Sequence, residues 1–380
     1  MFWIAHRGNL FGKDPCMENN PDYIKAAIEK GFDVEIDVWW KDDVYYLGHD
    51  EPQYQVDNQF FNTYILHLWC HAINASTLSH LLQDFPNIHV FRHDVDSIVL
   101  TSKAIPRAYP VQPIDSHTVC VMPEQARGKY THKDLDDCRG ICSDYVGWYK
   151  QQADATTRIG MIIGGRFNTQ ETNLFPQVIK YITDNPTHWI DIHISINEEP
   201  SLVIEYLNKK WMDAPFVATI SCQKYKAPDN YINHPKKHSG ETYTQNTMSM
   251  FYNNRIAFLQ LKSYHNYDVV MKYRPDIVCE TLPPISQAIE QIKTNKKCIC
   301  MPRLYHYGHI CGQSNDQVGI GSPEMMEIYC NTYDDIDYHL VNAPPYCLHP
   351  ESMLKFHLDK NEIVIEVFDY TYHLDHNRHK

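Results

Sequence analysis

The chain has 380 residues, of which 43% are hydrophobic and 12% aromatic, a composition that can bury a core and excludes a disordered chain. Its 34 Lys and Arg stand against 47 Asp and Glu, a formal charge of −13, which excludes a surface built to collect nucleic-acid phosphates. The length favours two domains over one.

In chain order, Phe2 to Ala5 reads as a strand, Asp22 to Lys30 as a helix with Ile24, Ala27 and Ile28 on one face, and Val34 to Trp39 as a second strand, followed by a short hairpin from Lys41 to Gly48. Tyr64 to Cys70 reads as a strand, Ser76 to Asp84 as a helix, and His89 to Arg92, Val119 to Met122 and Gly140 to Ser143 as strands. This βα alternation implies an α/β fold with a largely parallel sheet or barrel. The polar stretch Tyr149 to Thr157 reads as a linker, which puts the first domain at about 1–150 and the second at 156–380.

The second half restarts with a strand at Ile159 to Ile163 and a helix carrying Phe175, Val178, Ile179 and Ile182. Further strands are expected at Asp191 to Ile196, Phe216 to Ile220, Asp268 to Met271 and Lys297 to Met301, with a helix from Met248 to Lys262. Residues 223–247 read as a long polar loop, and His373 to Lys380 as a solvated tail. No apolar run approaches the roughly 18 residues of a membrane span. The first residues lack the basic region and apolar core of a signal peptide, so the expectation is a cytoplasmic protein without a transmembrane segment. The twelve cysteines contain no C-x-x-C pair and read as reduced thiols. His234 and His238 have half of a zinc spacing, but only Cys222 precedes them nearby. The sequence carries no sign of oligomeric state.

Two constellations carry chemistry. The first is His6-Arg7-Gly8-Asn9, Glu18-Asn19, Glu35-Ile36-Asp37 and His49-Asp50. In an extended strand Glu35 and Asp37 project from one face, and paired carboxylates suit Mg²⁺ or Ca²⁺ bridging phosphate oxygens. His6, closing the first strand, and His49, closing the hairpin, suit general acid and base work on a phosphodiester. The order and spacing of these pieces resemble the glycerophosphodiester phosphodiesterase family over about residues 1–148. The resemblance implies a small TIM-barrel-like domain, metal-dependent cleavage of a phosphodiester, and phosphate binding by Arg7. The family's third acidic ligand and its phosphate-binding lysine fall in Trp69-Cys-His71-Ala-Ile73. His71 therefore stands as the third metal ligand beside Glu35 and Asp37, and Ile73 replaces the lysine. Asp96 and Asp144, near strand ends, are further substrate-binding candidates. A barrel of this kind usually takes about 250 residues, so this one must be pared down.

The second constellation is Gly164-Gly165-Arg166, Lys272 with Arg274 and Asp276, Asn315-Asp316-Gln317, and His349-Pro350-Glu351. Glycines after a strand let the backbone approach a diphosphate, and Arg166 can grip it bidentately. If the strand from Asp268 stays extended, Lys272, Arg274 and Asp276 share a face that offers two cations and a carboxylate. Asn315, Asp316 and Gln317 precede what reads as a Gly-containing turn, where a sugar-binding amide and carboxylate are expected; Asp316 is the candidate base. The order of these motifs resembles GT-A-type glycosyltransferases of the kind found in large DNA viruses and bacterial polysaccharide clusters. That resemblance implies a Rossmann-like α/β domain, a nucleotide-sugar donor, a glycan acceptor, and Mn²⁺ or Mg²⁺. The Asp-x-Asp of metal-dependent members is replaced by Arg274-Pro275-Asp276.

The sequence thus points to a bifunctional enzyme of glycan metabolism, with a phosphodiesterase in the first half and a glycosyltransferase in the second. The alternative is a glycosyltransferase whose first half binds a glycan or headgroup without cleaving it.

Overall fold

The computed structural model describes residues 1–126, 129–165, 174–197, 214–235, 240–274, 277–278, 280–303, 314–342 and 349–374. The chain divides into two compact units, Met1–Asp154 and a second that begins at Ala155. Each is a mixed α/β unit built on a mainly parallel sheet. Among the described residues no helix is long and apolar enough to cross a membrane.

In the first unit, β1 (Phe2–His6) leads to α1 (Pro21–Glu29). Asn20 fixes the start of that helix: its side chain accepts from the N–H of Asp22, and Pro21 opens the first turn. The next elements are β2 (Asp33–Lys41), β3 (Val44–Leu47), β4 (Tyr54–Val56), α2 (Asn58–Tyr64), β5 (Leu68–Ala72), α3 (Ala75–Asp84) and β6 (His89–Phe91). They are followed by β7 (Ile98–Leu100), β8 (Pro106–Ala108), β9 (Val119–Val121), α4 (His132–Asp137), β10 (Gly140–Ser143) and α5 (Val146–Asp154). The parallel order is β6-β5-β2-β1-β10-β9-β8, with β3 and β4 folding back on β2 and β7 on β8. Ser102, just after β7, bonds to the free edge of β6. Its N–H donates to the Val90 carbonyl at 2.7 Å and its hydroxyl accepts from the Val90 N–H at 3.1 Å. Ile4, Ala5, Val34, Ile36, Val38, Cys70 and Ala72 are all buried, as strands covered on both faces require.

The second unit runs through β11 (Thr157–Gly165), α6 (Leu174–Asp184), β12 (His188–Ile196), β13 (Val217–Cys222), α7 (Asp229–Ile232), α8 (Glu241–Tyr264), β14 (Val269–Tyr273), β15 (Ile277–Val278) and α9 (Ile285–Thr294). It continues through β16 (Cys298–Pro302), β17 (Val318–Gly321), α10 (Pro323–Cys330), α11 (Ile336–Asn342), α12 (Pro350–Lys360), β18 (Val364–Phe368) and β19 (His373–Leu374). The main sheet has the order β13-β12-β11-β14-β17-β16-β18, with β17 antiparallel to both neighbours and the other pairings parallel. Helix α8 packs closely on β11. A Cβ on Gly164 would lie 2.3 Å from Asn254 Oδ1 and 2.5 Å from its backbone nitrogen, so only glycine admits the helix here.

Several local readings change. Tyr64 to Cys70 is not one strand: Asp57 caps α2, accepting from the Phe60 N–H, and the helix holds Tyr64. The polar stretch after Tyr149 is mostly the helix α5, whose Val146, Trp148, Tyr149 and Gln152 are buried. Residues 223–247 contain α7 and the start of α8. Gly319 and Gly321 lie in β17 rather than in a turn, where side chains would meet the Tyr329 ring and Met326, each at 3.2 Å. His373–Leu374, read as tail, pairs with β15.

Candidate functional site

The strand register builds the first constellation. His6 pairs with Glu35 across β1 and β2, and Asp37 pairs with His71 across β2 and β5. His6 ends β1 and His71 is the last residue but one of β5, at the rim where the loops of such sheets place their chemistry, and Glu35 and Asp37 pair with them from within β2. Arg7 follows β1 with φ 54°, a left-handed conformation rare outside glycine. Gly8 continues the turn at φ 93°, and a Cβ there would sit 2.7 Å from the Tyr23 ring. The His-Arg-Gly order is thus a steric requirement of the turn as well as a source of chemistry.

A cavity of about 390 Å³ opens at this rim, lined by His6, Arg7, Glu35, Asp37, His49 and His71 among others. Glu124 and Asp144 line a second cavity of about 310 Å³ that also touches His6 and Arg7. His6 Nδ1 lies 2.7 Å from Asp144 Oδ1, and Asn9 Nδ2 donates to the same oxygen at 2.8 Å. Burial opposes a charged His6, but the hydrogen bond to Asp144 and the charges of Glu35 and Asp144 outweigh it and raise its pKa above the ordinary imidazole value. His49 Nδ1 is 2.6 Å from Asp50 Oδ1. Asp96 is exposed and is not among the residues lining either cavity.

The two carboxylates expected to hold a metal are each matched to a guanidinium. Glu35 accepts from Arg107 Nη2, which is fully buried, and from the Cys142 thiol at 2.9 Å. The Arg107 guanidinium sits 4.2 Å from the centre of the Phe91 ring, a cation–π contact. Burial raises the Glu35 carboxyl, yet Arg107 and His6 bring it down to about 2. Asp37 Oδ2 is 2.8 Å from Arg7 Nε and accepts from Asn19 Nδ2 at 3.0 Å, while Oδ1 is 2.9 Å from His71 Nδ1. Burial again works against the charge, and the His71 hydrogen bond and Arg7 hold this carboxyl well below the usual range. His71 faces Asp37 and so gives its Nδ1 to a carboxylate. Arg107 and Cys142 engage Glu35 through Oε2, and Arg7, Asn19 and His71 engage both oxygens of Asp37, so a divalent cation on Asp37 would have to displace one of them, and no chemical step is routed through one.

Arg107 carries no sequence signal, and Glu124 is marked only as the end of Val121-Met-Pro-Glu124, one of the later pieces of the family resemblance. Arg107 is a charge within a three-residue strand, too short for a pattern. Glu124 follows β9; both its oxygens accept from the Ser143 hydroxyl at 2.9 Å. Burial pushes its carboxyl up to about 7, although its own backbone N–H and Ser143 pull the other way.

In the second unit the parallel register of β11 and β14 sets Ile162 opposite Lys272, so Gly164 and Gly165 share a sheet edge with Arg274. Antiparallel β17 brings Asn315, Asp316 and Gln317 to that edge, where the Arg274 N–H donates to the Gln317 carbonyl at 2.9 Å. Lys272 is fully buried, with Nζ on the Asp316 carbonyl and 3.4 Å from that of Gln317. Arg274 Nη1 is 3.7 Å from Asp316 Oδ2. Asn315 turns its side-chain oxygen to the Gln317 N–H at 2.7 Å and donates to Tyr372 Oη at 2.9 Å. His349 and Pro350 open α12, and His349 Nδ1 lies 2.8 Å from Glu351 Oε2. Burial and the neighbouring Glu351 raise the Asp316 carboxyl to about 6, while Glu351, although buried, is held down by His349. Asp316 is thus the member of the carboxyl pair that takes up a proton more readily. Arg166 and Asp276 lie outside the described residues, so no metal step is assigned to this unit either.

The His6–Asp144 pair has a signature in pH. His6 is raised from 6.5, so its contribution is complete below that value and fades as pH climbs through its folded pKa. Asp144 is lowered from 3.8, so its contribution is complete above that value and fades as pH falls through its folded pKa. Urea unfolding of wild type and Asp144→Asn should therefore differ most between about pH 4 and 6.5 and converge on either side; a difference that does not vary with pH refutes the pairing. Compared with known families and with curated proteins, the sequence matches no family model and shows no significant similarity to a curated protein.

Proposed function

We propose that the chain is a bifunctional enzyme of glycan metabolism, whose first unit cleaves a phosphodiester of the glycerophosphodiester type and whose second unit transfers a sugar from a nucleotide sugar to a glycan acceptor. The observation that carries the first half is the presence of His6, His49 and Arg7 on the wall of one cavity. In this reading Arg7 binds the phosphate. His49, oriented by Asp50, takes a proton from the attacking water as its oxygen bonds to phosphorus and the bond to the leaving oxygen breaks. His6, kept protonated by Asp144 and Glu35, gives its proton from Nε2 to the leaving alkoxide. The parallel strands that carry these residues, with Ser102 on the free edge of β6, support a small TIM-barrel-like domain.

The second unit numbers its main-sheet strands 3-2-1-4-6-5-7 in spatial order. It shares the 3-2-1-4 start of doubly wound nucleotide-binding sheets, whose ligands sit at the carboxyl ends beside the switch between strands 1 and 4. Gly164, Gly165, Lys272 and Arg274 are at that switch, which supports the GT-A reading. Asp316 and Glu351, whose carboxyls are shifted in opposite directions, suit acid–base work on a sugar hydroxyl.

A second reading of the first unit rests on Ile73. It lines the cavity where the family resemblance asks for a lysine, and favours a module that binds a headgroup without cleaving it.

The full chain should hydrolyse glycerophosphodiesters. His6→Gln and His49→Gln should each lower kcat at least 100-fold, as loss of a general acid or base does, with KM changing much less. Binding of glycerol phosphate without turnover, with or without divalent ions, sinks the enzyme reading and favours the module. For the second unit, Arg274→Ala should weaken nucleotide-sugar binding at least tenfold, about 1.4 kcal/mol, by calorimetry; unchanged affinity removes the donor-site assignment.

A further inference from the structure

Away from both constellations, three side chains of the second unit meet. Asp335 precedes α11, His339 lies one turn further along that helix, and His357 reaches in from α12. His339 Nε2 is 3.1 Å from His357 Nδ1, which is 3.4 Å from Asp335 Oδ2. One donor atom from each of the three falls within 4.8 Å of the others.

Proton placement explains why this cluster attracts a cation. His357 Nε2 lies 2.7 Å from the Ile328 carbonyl oxygen. A carbonyl only accepts, so Nε2 carries the hydrogen and the neutral ring turns a lone pair outward at Nδ1. That lone pair meets both other members of the cluster, lying 3.1 Å from His339 Nε2 and 3.4 Å from Asp335 Oδ2. A tetrahedral ion with ligands at about 2.0–2.1 Å sets neighbouring donor atoms roughly 3.3–3.4 Å apart, close to the 3.1 and 3.4 Å found here. The bond from His357 to Ile328 is the outer hydrogen bond that metal-bound histidines typically make. Two imidazoles and one carboxylate suit a zinc-class ion better than Mg²⁺ or Ca²⁺, which prefer oxygen ligands.

We propose that Asp335, His339 and His357 bind a zinc-class divalent ion, with a fourth position open to water, and that the ion ties α11 to α12. Both histidines are buried, whereas the Asp335 side chain is 36% exposed, which makes it the mouth of the site. Lys360 Nζ lies 2.7 Å from Asp335 Oδ2 and competes with the ion for that oxygen. The proposal stands independently of the glycosyl-transfer reading.

The test strips the full chain with a chelator and titrates Zn²⁺ against a chromophoric competitor, with Co²⁺ absorption reporting geometry. The expected result is one Zn²⁺ per chain, undisturbed by excess Mg²⁺, and a tetrahedral Co²⁺ spectrum. Asp335→Ala, at the exposed mouth where core packing is spared, and His357→Gln should each weaken Zn²⁺ at least tenfold and abolish that spectrum. Lys360→Met should tighten binding. Absence of binding overturns the proposal. So does Zn²⁺ affinity that survives both Asp335→Ala and His357→Gln, which would place the ion elsewhere in a chain of 22 histidines. A Co²⁺ spectrum of octahedral type also overturns it.

Discussion

The first unit depends on a buried ion pair. Glu35, in the second strand, and Arg107, in β8, are both buried. Removing two such charges from water costs several kcal/mol each, recovered only with close geometry and further hydrogen bonds. Those supports are present: Cys142 donates to Glu35 from β10, and the guanidinium lies over the Phe91 ring. The pair therefore ties together strands far apart in sequence, and fixes a carboxylate charge beside His6. With Asp144, that charge raises the histidine's pKa against the pull of burial. Structure and proton chemistry thus rest on one contact.

The second unit solves a similar problem differently. Instead of one matched pair it buries Asp316, Lys272 and Glu351 around the end of β14, with Arg274 and His349 at its border. Two carboxyls so close cannot both ionise readily. His349 stabilises the charge on Glu351, while burial and that charge raise the Asp316 carboxyl to about 6. The antiparallel strand β17 makes this possible, because it starts where β14 ends and delivers Asn315, Asp316 and Gln317 to the same edge. The absence of a side chain at Gly319 and Gly321 lets that strand pack under Tyr329 and Met326.

What was legible in the sequence follows from period and spacing. The two-residue separation of Glu35 and Asp37 in an apolar run placed them on one face, and His6 at the end of the first strand marked the rim. Partners contributed by distant, very short elements were not legible. Arg107 sits in a three-residue strand whose neighbour in space is seventy-two positions away, and nothing local marks it. Helix α5 escaped notice because its apolar residues cluster at its first turn and the rest is polar. Strand β17 was misread because glycines that usually signal turns are here a response to bulky neighbours. Asp335, His339 and His357 passed unseen for a related reason: only Asp335 and His339 share a helical spacing, and the third member comes from another helix.

The central claim is that Arg107 and Arg7 neutralise the carboxylates where the family resemblance expects a metal, leaving the histidines to move the protons. The most direct measurement is the turnover of a glycerophosphodiester by the full chain after exhaustive chelation, compared with the same protein given Mg²⁺ or Ca²⁺. The account predicts turnover in the chelated protein and no more than a marginal gain on adding either ion. Turnover that appears only when Mg²⁺ or Ca²⁺ is supplied contradicts it, because an ion would then have to displace Arg107 or Arg7 from Glu35 or Asp37.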